Sequence, residues 1–254
     1  MDTTVQKALT ILEVLARSDT HRGITELAGE LGLSKSNVHR LLSTLIQLGY
    51  VANEDGRYGP TSKLWELGSL IIGRYDVRRL ARPIMEVLAR QSGETVHLSV
   101  LDEISCEVVY IDKIESGQAV RAYSEVGGRA PAHCVATGKA MLAELPDAAL
   151  LALEGRLVPH TRRSIATVEE LLRQVAQIRR DRFAVNHGEW RDQVRGVASV
   201  IRGADGRVAA AIGISGPAGR LTQDFIRRTA PMVVEAGDTV SRLMGGSRPA
   251  AHVA

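Results

Sequence analysis

The chain has 254 residues, 44% hydrophobic, with 32 basic against 29 acidic side chains and two cysteines. That length suits one large or two modest domains with a substantial core. No apolar run reaches the roughly 18 residues of a membrane span. Met1–Lys7 leads into an amphipathic pattern rather than a basic-then-apolar signal segment. Cys106 and Cys134 lack CxxC spacing, which argues against a disulfide scaffold or a thiolate-rich metal site. Secreted, membrane and disordered classes are excluded, and a soluble cytoplasmic protein is expected.

A net charge of +3 is weak evidence for nucleic acid, because residues 1–75 carry eight basic and eight acidic residues. Patterning is more informative. Val5, Leu9, Leu12 and Leu15/Ala16 recur at three- and four-residue spacing and predict a first helix. Ile24–Leu31 predicts a short second helix with Leu27 and Leu31 inward, reversed at Gly32. Ser34 has N-cap chemistry for a third helix running to about Leu48 and ended by Gly49.

Ala28, Gly32, Val38 and Leu41 place a small residue, a glycine, a β-branched residue and a leucine at the intervals of a packed helix-turn-helix. The outer face of the third helix is polar throughout: Lys35, Ser36, Asn37, His39, Arg40, Ser43, Thr44 and Gln47. No acid occurs between Glu30 and Glu54, so nothing on this helix repels a phosphate backbone. Tyr50–Asn53 and Arg57–Pro60 flank Glu54-Asp55-Gly56, a tight-hairpin signal that reads as the wing of a winged helix. Arg57 near its tip is placed for a phosphate or the minor groove. Ser62 is read as the cap of a further helix carrying Leu64, Leu67 and Ile71.

From Val77, helical periodicity returns (Leu80, Ile84, Val87, Leu88), with Pro83 either starting a new helix or kinking this one. Thr95–Leu101 alternates as a strand, and residues 104–114 and 118–126 read as two more. Residues 134–144 and 147–154 are predicted helical. Thr167-Val168-Glu169-Glu170 is a capping box opening a helix to about Asp181. Strands are predicted at 183–187, 196–202 and 207–215, and a last helix from Thr222 to Met244. Without strand–helix alternation, the expectation is an α+β domain on one antiparallel sheet.

The runs Gly23–Ala28, Gly32–Leu42 and Gly49-Tyr50-Val51, with Gln6–Leu12 ahead of them, resemble the DNA-binding domain of IclR-type transcriptional regulators. Gly127–His133, Ala136–Ala143, Gly188–Ala198 and Ala211–Pro217 resemble the same family's effector-binding domain, which is similar to the GAF fold. The organisation implied is a winged helix-turn-helix over 1–62, a helical linker over 63–92 and a GAF-like domain over 93–247.

The resemblance implies a ligand-responsive regulator, expected to be a repressor of a metabolic or catabolic operon. It would bind palindromic promoter DNA as a homodimer or homotetramer. The expected DNA-contacting set is Thr25, Ser34, Lys35, Ser36, Asn37, His39, Arg40, Ser43 and Thr44, with Arg57 in the wing. Carried over position by position, the effector set is Ala130, Ala136, Thr137, Asn186, Gly196, Gly213 and Ser215. Asn186 stands where many members have an acid and Gly196 where many have a cysteine. That difference points to a carboxylate-bearing effector, larger than two- or three-carbon acids. The competing reading of the small residues is tight sheet packing.

No cofactor, metal or catalytic residue is expected. His97, His133, Cys134 and His187 lack ligand spacing, and Trp65 and Trp190 are read as packing or interface residues. The alternative is a DNA-associated enzyme using His133/Cys134 or Ser215, which lacks a convincing acid–base set. An architectural DNA binder without a ligand is a third reading.

Overall fold

The computed structural model describes residues 3–72, 76–122 and 124–245. Residue 123 of the expected strand, the side chain of Ile71 and residues 246–247 of the expected second domain lie outside what is described. The chain forms two compact units, Met1–Tyr75 and Asp76–Ala254. The stretch read as a linker, 63–92, divides between them, residues 63–75 falling in the first unit and 76–92 in the second.

The first unit contains α1 (Thr3–Ala16), β1 (Arg22–Gly23), α2 (Ile24–Leu31), α3 (Lys35–Gln47), β2 (Val51–Glu54), β3 (Arg57–Pro60) and α4 (Ser62–Ile72). Gly32 takes φ 62°, the left-handed turn that the α2–α3 reversal requires. Ser34 Oγ accepts from Asn37 N at 3.3 Å and caps α3. Asp55 and Gly56 both have positive φ, the geometry of a tight hairpin, and Asn53 Oδ1 accepts from Gly56 N at 3.0 Å. Ile11, Leu15, Leu27, Val38 and Leu42 form the centre of the core.

Three details differ from the sequence reading. The buried stripe of α1 is Ile11, Leu12 and Leu15, whereas Val5 and Leu9 are exposed. The hydroxyl at the start of α4 is that of Thr61, which accepts from Lys63 N at 3.3 Å, one residue before Ser62. β1 adds a third strand in the order β1-β3-β2; two residues are too short for any period to register.

The second unit contains α5 (Asp76–Ser92), β4 (Thr95–Asp102), β5 (Glu107–Ile114), β6 (Arg129–Pro131), a 3-10 turn (Ala132–Cys134), α6 (Ala136–Leu142) and α7 (Asp147–Leu151). These are followed by α8 (Val168–Asp181), β7 (Ala184–Asn186), β8 (Val194–Arg202), β9 (Val208–Pro217) and α9 (Gln223–Leu243). The six strands form one antiparallel sheet in the order β6-β5-β4-β9-β8-β7. α5 and α9 cover one face, packing Met85, Leu88, Val233 and Val240 on Val96, Leu98, Val197 and Ile212. α6, α7 and α8 cover the other, with Met141, Leu150, Leu171 and Val175 over Val108, Ala198 and Ala211. Alternation along each strand sorts its residues between these two cores. α5 runs through Pro83 as one helix.

The strand expected at 118–126 does not form among its described residues, and the edge strand is β6 instead. Side chains replace a ladder along that segment. Val120 O accepts from Arg220 at 2.8 Å and Ser124 O from Lys113 Nζ at 2.6 Å. A register shift in the β4–β5 pair, where Leu98 faces Asp112 but Ser99 faces Tyr110, was also not legible in the alternation. The extra residue, Ile111, keeps Tyr110 beside Ser99 and Lys113 beside His97.

Candidate nucleic-acid interface and ligand cavity

α3 buries Val38, Leu41, Leu42 and Leu45 and exposes Lys35, Ser36, His39, Arg40, Ser43, Thr44 and Gln47. Asn37 is half-buried and Thr25 is exposed at the start of α2. The hydroxyls of Ser43 and Thr44 donate to the carbonyls of His39 (2.9 Å) and Arg40 (3.2 Å), so their oxygens face solvent as acceptors. The acids flanking this face are held in check. Arg22 donates to Glu26 at 3.0 Å and to Glu30 at 2.7 Å, and the first of these bonds, with one from Gly23 N, pulls the Glu26 carboxyl below its usual range. The outer face of α3 therefore presents Lys35 and Arg40 with no competing charge from its own helix.

Arg57 stands differently. Its Nε and Nη2 both donate to His21 O, at 3.0 and 2.7 Å, and Nη2 lies 3.7 Å from Glu26. It stitches the wing to the segment before α2, a structural task that sequence reading did not anticipate.

In the second unit the sheet register gathers residues up to 118 positions apart in sequence. One cross-strand row runs Asn186, Gly196, Ser215; the next runs Ala198, Gly213, His97, Lys113. α6 lies across these rows and brings Ala136 and Thr137 down onto them. A Cβ on Gly213 would sit 2.7 Å from Ala198 Cβ and 3.1 Å from Thr137 Cγ2, and one on Gly196 would sit 2.8 Å from Ile214 O. Both glycines are dictated by close approach.

A part-open cavity lies over these rows. Six of the seven expected residues line it: Ala136, Thr137, Asn186, Gly196, Gly213 and Ser215. Ala130 does not. It pairs with Val108 in β6 and is buried in the core beneath α6, which is a packing position.

Sequence reading missed His97, Tyr110, Ser124, Trp190 and Arg191, all of which line the cavity. Trp190 packs against the core as read and also forms a wall of the cavity, with the Arg191 guanidinium 4.6 Å from its ring centre. His97 is pinned from both sides, Nε2 to Ser124 Oγ at 2.5 Å and Nδ1 to Ser215 Oγ at 3.2 Å, with the Tyr110 ring 4.9 Å away. Burial, aided by the Lys113 charge, pushes its pKa down to about 4, so the ring is neutral at pH 7. Burial likewise raises the Tyr110 phenol to about 12.

Two polar groups of the cavity are unspent. Thr137 Oγ1 is buried without a hydrogen-bond partner. Asn186 Oδ1 accepts from the amides of Gly188 (2.8 Å) and Glu189 (3.1 Å), so its remaining capacity is the Nδ2 donor. Among the described residues the lining contains one formal cation, Arg191, and no Asp or Glu.

Comparison with known proteins decides the family. Residues 4–55 match the IclR helix-turn-helix domain, and residues 70–242 match the C-terminal domain of bacterial transcriptional regulator IclR. The chain belongs to the IclR family. It is 36% identical to the HTH-type transcriptional regulator XynR of Escherichia coli over 95% of this chain and 96% of that protein. It is 32% identical to the acetate operon repressor of Salmonella typhimurium, covering 95% and 90% of the two chains. The crystal structure of Thermotoga maritima IclR matches with a TM-score of 0.77 and 30% identity, over 96% of this chain and all of that one.

An IclR-family protein is a DNA-binding transcriptional regulator, and this chain is therefore a regulator and not an enzyme. The side chains raised by the enzymatic alternative agree with that assignment. Burial lifts the Cys134 thiol to about 11, which disfavours a nucleophilic thiolate, and His133 is bonded to Val158 O at 3.2 Å. Ser215 does meet His97, but that ring is a poor base and its other nitrogen meets a serine rather than an orienting carboxylate. Among the described residues no three His, Cys, Asp or Glu side chains converge as a metal site, and no helix is long and apolar enough to cross a membrane.

Proposed function

We propose that this IclR-family chain is a cytoplasmic repressor that binds two-fold promoter DNA as a homodimer or homotetramer and is released or retained by a small organic anion. The reading deepens the family assignment with one observation. The cavity offers Arg191, the unpartnered Thr137 hydroxyl and the Asn186 amide, and no acidic side chain faces them. A carboxylate would satisfy the Thr137 hydroxyl, which is otherwise buried without a partner, and add a charge-assisted contact at the exposed Arg191. Tyr110 and Trp190 favour a ligand with an apolar body over a two-carbon acid.

DNA recognition is assigned to Thr25, Ser34, Lys35, Ser36, Asn37, His39, Arg40, Ser43 and Thr44, with Arg57 acting as a brace for the wing. The dimer reading is supported by exposed apolar residues of the first unit, Val5, Leu9 and Trp65, the last 79% exposed.

One experiment tests the whole reading. The full chain is used to select duplexes from a randomised pool, and the selected DNA is titrated with and without succinate, adipate, benzoate and phenylacetate. An inverted-repeat site whose affinity changes with at least one acid is expected. Selected sites without two-fold symmetry would overturn the dimer reading. A response to neutral or cationic compounds alone would overturn the carboxylate reading.

A further inference from the structure

Behind the cavity wall lies a charged pair that touches no ligand space. Lys139 Nζ donates to Glu189 Oε1 at 2.6 Å and to Gln174 Oε1 at 2.8 Å, and the Lys139 and Glu189 side chains are 1% and 3% exposed. Its two ends belong to the two elements that form the cavity. Lys139 follows Thr137 by two residues on α6. Glu189 sits in the loop after β7, between Asn186 on one side and Trp190 and Arg191 on the other.

Glu189 is the organising residue of that loop. Its Oε2 accepts from His187 N at 2.5 Å, and its own amide donates to Asn186 Oδ1 at 3.1 Å. Its carbonyl accepts from Ser164 Oγ at 2.5 Å, while Gly188 O accepts from Thr161 Oγ1 at 2.8 Å. The loop is thus closed on itself and fastened to the α7–α8 connection, and the ion pair ties it to α6.

A buried pair of this kind is a poor source of stability, because desolvating two charges offsets most of their attraction. Its geometric effect is larger. Thr137 on α6 can act together with Arg191 on the loop only if the two elements hold one spacing, and the pair is the short, directional contact between them. We infer that Lys139 and Glu189 are positioning residues for effector binding, setting the separation of Thr137 from Trp190 and Arg191 without touching the ligand. The inference rests on the cavity's being the effector site, but its effect on the loop can be read without a ligand.

The test uses full-length protein carrying Trp65→Phe, so that Trp190 is the sole indole. Glu189→Gln leaves the Lys139 charge buried and is expected to lower stability as well as affinity, so it does not discriminate. Lys139→Met with Glu189→Gln removes both charges while keeping an acceptor for His187 N and the volume of the lysine stem. In that double variant the melting temperature should recover to near the parent's. Acrylamide quenching of Trp190 should stay elevated, by twofold or more. Affinity for whichever of adipate, benzoate or phenylacetate shifts the parent's Trp190 emission should fall at least tenfold. Recovery of quenching and affinity along with stability would overturn the inference and leave the pair merely structural. If none of the acids shifts the parent's emission, the carboxylate reading fails, and the quenching comparison alone decides the positioning role.

Discussion

Replacing His97 with glutamine should remove a defined part of the protein's acid sensitivity. The ring is 5% exposed, bonded at both nitrogens, and held to a pKa of about 4 against an ordinary 6.5. Below pH 6.5 the unfolded chain takes up a proton that the folded ring refuses. Its contribution is therefore complete above 6.5 and is lost as the pH falls towards the folded value. Linkage gives a loss of about 1 kcal/mol between pH 7.5 and 5.5, growing to roughly 2–3 kcal/mol at pH 4.5. Glutamine can reach both serines but does not titrate. Urea unfolding of parent and variant, both carrying Trp65→Phe and followed by Trp190 emission, measures the difference. Carboxylates titrate in both proteins and cancel, and any packing defect is a constant offset. The variant should lose less stability than the parent by those amounts. Parallel pH profiles, within about 0.5 kcal/mol from pH 7.5 to 5.5, would refute the desolvated-histidine argument.

Thr137→Val should stabilise the unliganded protein by ~1 kcal/mol, because it deletes a buried hydroxyl with no partner, while weakening effector binding; urea midpoints and Trp190 titration read the two opposed effects. Gly213→Ala should destabilise by ~1–3 kcal/mol, since its Cβ is forced against Ala198 and α6, and an unchanged thermal midpoint would contradict the packing described. Arg40→Ala should cost ~1–3 kcal/mol of binding to the selected operator if Arg40 reads a base, with a smaller and sequence-independent loss if it contacts phosphate; fluorescence anisotropy against operator and scrambled duplexes separates these.

The first unit was legible because its signals are local. Ser34, Gly32 and the Ala28–Leu41 spacing act within single turns of helix, and each resolves into an observed cap, left-handed residue or buried contact. The stripe of α1 was misread because a helix with apolar residues on two adjacent rows does not say which row faces inward; that depends on where α3 and the wing lie. In the second unit the strands were mostly readable from alternation, but the edge was not. Whether 118–126 or 129–131 pairs with β5 depends on Lys113 of β5 itself and on Arg220, 100 residues on from Val120, reaching that segment's carbonyls. The His97 signal was faint: it shares the polar face of the alternation with Thr95 and Ser99, a pattern that a solvent-facing strand side also shows. Tyr110 carried no such mark, because only the register shift beside it turns it towards the same row.

The small residues posed the sharpest alternative, room for a ligand or tight packing, and the geometry makes these two descriptions of one arrangement. A Cβ on Gly196 would meet the Ile214 carbonyl of the adjoining strand, and one on Gly213 would meet Ala198 and the Val197 carbonyl of β8 as well as Thr137 of α6, which is seated on the sheet there. That seating is what delivers the Thr137 hydroxyl to the cavity wall, buried and unpartnered. A bulkier sheet would lift α6, and solvent would reach the hydroxyl. Water would then compete for the hydrogen bond that a ligand would otherwise be the first to supply. On the proposed effector site, Gly213 would act on binding at one remove, by keeping a donor dry. Gly213→Ala should accordingly weaken ligand binding even though residue 213 need not touch the ligand.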